Sequence, residues 1–192
     1  MRPALSHPLM LSLLLASAGA SAASIDCSKA RPDSGDAMVC ADESLSALDR
    51  TLADVYAQAL QLSGPGRKTL LAEERGWIKG QGDCWKTADQ QACLQRGYEL
   101  RIAELQARYQ LVMPSGAARY TCPGNKVFHA AFYPTEPASA LVTHGKETIF
   151  MTARPAASGA RYEGPNANLW EHQGEAMIRW GANGTPQTCR AL

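Results

Sequence analysis

Val112-Met113-Pro114-Ser115-Gly116-Ala117-Ala118 is the stretch at which this 192-residue sequence changes character. Before it, apolar residues recur at helical spacing; after it, they fall into short strand-like runs. Its Pro and Gly mark a connector, 112–118, between two domains at 24–111 and 119–192. The fold class is therefore α+β: a small three-helix domain stapled by disulfides, then a small antiparallel β domain.

Upstream of the connector, Leu45, Leu48, Leu52, Val55, Tyr56, Ala59 and Leu60 make one apolar stripe. Ser44 is its candidate cap, and Ser63-Gly64-Pro65-Gly66 ends it. A second helix is expected over 67–78, with Leu70, Leu71, Trp77 and Ile78 inward. A third carries Leu94, Tyr98, Ile102, Leu105 and Tyr109 at steps of three or four. A domain of under about 90 residues has too small a core to stand without staples.

Downstream, turn signals arrive every few residues, among them Pro123-Gly124-Asn125, His144-Gly145-Lys146, Ser158-Gly159 and Gly164-Pro165-Asn166. Between them lie runs rich in Val, Thr, Tyr, Phe and Trp, such as 126–133, 141–143 and 148–153. Many short strands at that spacing indicate an antiparallel sandwich or barrel.

The N-terminus places the chain. Arg2, the apolar run 9–16 and the small residues Ala18-Gly19-Ala20-Ser21-Ala22-Ala23 follow the order of a secretory signal peptide. Cleavage is expected near Ala22 or Ala23, and the run is too short to span a bilayer. Asp26, directly before the first cysteine, argues against acylation of Cys27. The expected address is the periplasm, without a lipid anchor or stable membrane insertion.

Six cysteines, Cys27, Cys40, Cys84, Cys93, Cys122 and Cys189, agree with that oxidising compartment. An even count reads as three disulfides, although six cysteines allow 15 connectivities. Local pairs 27–40 and 84–93 are the simplest for the helical half, and a 122–189 bond would tie first strand to last. By the chain-entropy treatment that last bond contributes roughly 3–4 kcal/mol. No C-x-x-C or finger-spaced histidine supports a metal, and no cofactor is implied.

Charge excludes more than it suggests. Residues 24–111 carry about −2 and residues 119–192 about +2, with no basic stripe for nucleic acid. The three histidines of the exported chain, His129, His144 and His172, sit in no H-E-x-x-H frame. Ser158 lacks a G-x-S-x-G elbow, so the chain is not expected to be an enzyme.

Tyr120-Thr121-Cys122, Ser158-Gly159-Ala160-Arg161-Tyr162, Leu169-Trp170, Glu175-Ala176 and Cys189 occur in the order of a known family. In these residues the segment from Tyr120 to Cys189 resembles the MliC/PliC inhibitors of c-type lysozyme. The resemblance implies a small antiparallel β-barrel, a 122–189 disulfide and a c-type lysozyme as partner. A second set, from Val39-Cys40-Ala41-Asp42 through Leu48-Asp49, Tyr56, Trp77 and Cys84 to Cys93-Leu94, Tyr98 and Arg101, resembles the LprI-type helical domain. That family is also associated with lysozyme inhibition, a means of evading host defence. Glu74 stands where its pattern has Gln, and Gln81 where it has Arg.

A c-type lysozyme cuts glycan between two carboxylates, one protonated and one ionised. The family blocks them with a Ser and a Lys on neighbouring loops, a hydroxyl donor and a charged partner. The Ser carries over to Ser158, followed by Gly159. The Lys does not: alignment puts either His172 or Gln173 in its place. The resemblance thus implies a lysozyme-binding set of Ser158, Gly159, Ala160, Arg161, Tyr162, His172 and Gln173. The competing readings are a plain Ser-Gly hairpin turn, with Tyr162 and Trp170 as core or barrel-face aromatics, and a non-inhibitory envelope binding module or chaperone.

Overall fold

The computed structural model describes residues 24–192; the expected signal segment, 1–23, lies outside them. Four helices come first: α1 (Gly35–Ala41), α2 (Glu43–Leu62), α3 (Arg67–Gln81) and α4 (Gln90–Arg108). Eight strands follow: β1 (Gly116–Cys122), β2 (Lys126–Tyr133), β3 (Ser139–His144), β4 (Glu147–Arg154), β5 (Ala160–Gly164), β6 (Ala167–His172), β7 (Glu175–Trp180) and β8 (Gln187–Ala191).

Side-chain caps open three of the helices. Ser34, Asp42 and Asp89 accept from the backbone N–H groups of Ala37, Leu45 and Ala92, satisfying donors the helix cannot. The cap of α2 is therefore Asp42 and not Ser44, whose hydroxyl instead donates to the Asp42 carboxylate. The helix α1 adds a fourth to the three expected. Its seven residues are too few to show a period, and it is pinned by the Cys27–Cys40 disulfide.

The helical core gathers Val39, Leu45, Leu52, Val55, Ala59, Leu70, Leu94, Tyr98, Ile102 and Leu105. Ile78, expected inward, is 59 % exposed. Its turn of α3 buries Glu74 instead, because Arg101 of α4 reaches across with both Nε and Nη2 to one carboxylate oxygen. The third guanidinium contact goes to Glu104, so the buried cation is fully paired. Cys84–Cys93 closes the α3–α4 connection.

The strands form one closed barrel in sequence order, each antiparallel to the next, with β8 returning to β1. Closure leaves no free edge. Gly116–Ala118, expected in the connector, already pair with Ala130–Phe132 as the start of β1. Alternate residues point inward: Tyr120, Phe128, Ala130, Val142, Met151, Leu169 and Ile178 fill the interior. Cys122 of β1 is bonded to Cys189 of β8.

The helix α4 is buried on two sides. Leu94, Tyr98, Ile102 and Leu105 face the helical core, while Ala103 and Ala107, also fully buried, belong to neither core. The helix packs against β3, which brings helices and barrel together. The meeting covers the β3 side of the barrel and leaves the outer face of β5–β7 open, with Trp170 and Met177 exposed on it.

Candidate functional site

Two connections at one end of the barrel carry the residues the sequence singled out. The first is the β4–β5 loop, residues 155–159, ending in Ser158-Gly159. The second is the tight β6–β7 turn, where His172 pairs with Glu175 across Gln173 and Gly174. Both turn residues have positive φ, 51° and 81°, the two-residue hairpin geometry that matches strand twist. Glycine fits that conformation without cost, whereas Gln173 holds it against the usual preference of a side chain.

The register brings the two connections together. Ala160 pairs with Glu171 and Arg161 with Trp170, so the loop before β5 lies over the end of β6. Gly159 makes the contact: a Cβ there would stand 1.9 Å from the carbonyl oxygen of Glu171 and 3.3 Å from the Cα of His172. With φ at +70°, the position excludes other residues twice over, by conformation and by space. From β6, the Trp170 indole N–H donates to the Ser158 carbonyl oxygen at 2.9 Å. Ser158 is thus held by its backbone, and its exposed side chain is left facing outward.

Not all seven residues face outward. Ser158, Gly159, His172 and Gln173 are exposed and adjacent. Arg161 is exposed but committed to Glu163 on its own strand, with Arg154 on the other carboxylate oxygen at 3.5 Å. Tyr162 turns inward and packs on Phe132, 5.3 Å between ring centres, so it supports the site from beneath. Burial raises its phenol pKa above the ordinary value, and the charge of Glu171 adds to the shift. Ala160 is half-buried at the start of β5.

Beneath the loop, Glu171 follows Leu169 on the inward side of β6. Tyr120 lies there fully buried, and its hydroxyl has no hydrogen-bond partner among the described residues. Desolvation raises its pKa, with the Glu171 charge second. Outside, Trp170 faces Met177 across β6 and β7, 38 % and 41 % exposed. Exposed Trp, Met and Arg side by side is a composition enriched in protein interfaces. The alternation of β6, Leu169 inward and Trp170 outward, was the signal for this patch; aromatic content alone did not reveal it.

The family described as membrane-bound lysozyme-inhibitor of c-type lysozyme, MliC, matches residues 120–187. Over these residues the barrel is similar to that family. The match runs from the inward Tyr120 of β1 to the start of β8, and so contains both connections of the site. The chain is also similar to proteins named lipoprotein LprI from Mycobacterium bovis and Mycobacterium tuberculosis H37Rv. Each is 28 % identical over 155 residues, 80 % of this chain and 77 % of the relative. An alignment of that length in a 192-residue chain necessarily includes parts of both the helices and the barrel. No solved structure matches.

Proposed function

We propose that the protein inhibits c-type lysozyme by seating the Ser158–Gly159 loop of its MliC barrel in the glycan-cleaving cleft. The observation that carries this reading is the pinning of that loop by Trp170 and by the Glu171 backbone. A loop fixed before binding loses little conformational entropy on docking, so more of the contact energy appears as affinity. The Ser158 hydroxyl donates to one cleft carboxylate, and His172, beside Gly159, stands where the family has its cation. Gln173 lies at the turn tip and supplies a neutral donor. The protein itself carries out no reaction in this role, in keeping with a family described as inhibitors.

The two halves are proposed as two domains, divided between Arg108 and Gly116, with the helical one bracing β3 from the far side. Residues 1–23 are proposed as an export signal to the periplasm, which the three disulfides support. The MliC description and the relatives' name both point to a membrane anchor. Against a lipid on Cys27 stands its sulfur, which is joined to Cys40 and not free to form a thioether. Among the described residues no helix is long and apolar enough to cross a membrane.

Calorimetric titration of a c-type lysozyme with the mature protein tests the reading. It predicts 1:1 binding that a glycan oligomer filling the lysozyme cleft competes away. Binding that glycan leaves untouched favours the other reading, a module that docks elsewhere without inhibiting.

A further inference from the structure

Asp49 of α2 is buried, 3 % exposed, and lies outside the site described above. Its carboxylate accepts from the backbone N–H and the hydroxyl of Ser24, from the Ile25 N–H and from the Tyr98 phenol. Four donors converge on it, yet none is a cation. No ion pair among the described residues includes Asp49. Neutral donors soften the loss of water around a buried charge but do not replace a counter-charge. Arg101 and Glu74, the other buried charged residues of this half, pair with each other, and Arg101 also reaches Glu104. That buried pair is balanced, and Asp49 is left open.

The Ser24 backbone nitrogen is among the atoms closest to that carboxylate. Directly before it stand Ser21-Ala22-Ala23, small residues at the third and first positions ahead of the Ala23–Ser24 bond. We propose that export processing cuts this bond, and that the new α-ammonium of Ser24 pairs with Asp49, so that leader removal completes a buried ion pair. The step is a hydrolysis by a signal peptidase with water as co-reactant. The Ala23–Ser24 C–N bond breaks and the water oxygen bonds to the Ala23 carbonyl carbon, so that Ala23 departs with the leader as a carboxylate, while both protons of the water end on the Ser24 nitrogen as an ammonium. An α-amine is largely protonated at neutral pH, whereas the amide it replaces is never charged. The pair is positioned to matter. Ile25 packs on the helical core, and Cys27, two residues on, is bonded to α1, so the first residues clamp α1 to α2. The inference rests on the export reading of residues 1–23 and is independent of lysozyme binding.

Intact-mass analysis of the exported protein gives the first test, with a chain beginning at Ser24 and holding three disulfides as the expected product. A chain beginning at Ala23, or at Cys27 with a lipid, overturns the proposal. The second test compares the mature chain beginning at free Ser24 with the same chain acetylated there or retaining Ala23. Blocking or displacing the amine lowers the melting temperature by roughly 4–8 °C. In Asp49→Asn the difference between free and blocked chains disappears; should that variant not fold, the free-versus-acetylated comparison decides alone. Equal melting temperatures for free and blocked chains overturn the ion pair.

Discussion

The indole N–H of Trp170 and the carbonyl oxygen of Ser158 lie 2.9 Å apart, a link from an outer-face strand residue to the loop beside it. It fixes where Ser158 stands without using the Ser158 side chain. Trp170→Phe keeps an aromatic side chain on the outer face and removes the pyrrole ring with its N–H donor. A neutral hydrogen bond contributes about 0.5–1.5 kcal/mol, so inhibition weakens roughly 2- to 12-fold. Circular dichroism of the variant stays that of the parent, because Trp170 is not in the core.

Gly159→Ala acts on the same loop from the other side. A methyl group there meets the Glu171 carbonyl oxygen at 1.9 Å and a backbone φ that favours glycine. The loop must lift off β6, breaking the Trp170 contact and carrying Ser158 with it. Inhibition is expected to fall more than in Trp170→Phe, while the Cys122–Cys189 barrel still folds. Paired inhibition curves and melting curves separate the two effects.

Tyr120 carries a buried hydroxyl that, among the described residues, lacks a well-formed hydrogen bond, with the Glu171 carboxylate beside it. Tyr120→Phe removes that penalty with almost no change of shape, and stability is expected to rise by about 1 kcal/mol. The same burial raises the folded-state pKa of Tyr120 and, with Asp49 adding its charge, that of Tyr98. A pKa raised on folding gives stability that is present below the unfolded phenol value, about 10. That stability drains away as pH climbs toward the folded value, because the unfolded chain ionises first. Thermal melts at pH 8 and pH 10.5, followed with phenolate absorbance, should show the loss, and Tyr120→Phe should reduce it.

Much of this was legible in the sequence because the signals were local. Strand β2 ran over the expected 126–133, and the three disulfides joined the nearest or terminal partners. What was illegible depended on partners distant in sequence. Ile78 fitted the apolar period of α3, but Arg101 claims the inward place for Glu74, 27 residues away. Asp49 sits between two core positions of α2 as an ordinary surface acid would, and only Tyr98 and Ser24 show that it is buried. The pattern of α4 is blurred because the helix is covered on two sides, and periodicity reports one face at a time. The Ser-Gly dipeptide read as a turn, and a turn it is. What the sequence did not contain was the register that sets it against His172.

The direct test is the inhibition constant of the mature protein against a c-type lysozyme, measured beside Ser158→Ala and His172→Lys. If Ser158 donates to a cleft carboxylate, its loss removes about 1.5–3 kcal/mol, so Ser158→Ala weakens inhibition roughly 10- to 150-fold. If His172 stands in the cation's place, His172→Lys installs a permanent charge there and tightens inhibition. Melting temperatures of both variants stay near the parent's, since both positions are exposed. An unchanged inhibition constant for both, with the parent still inhibiting, would place the contact on another surface and contradict the account.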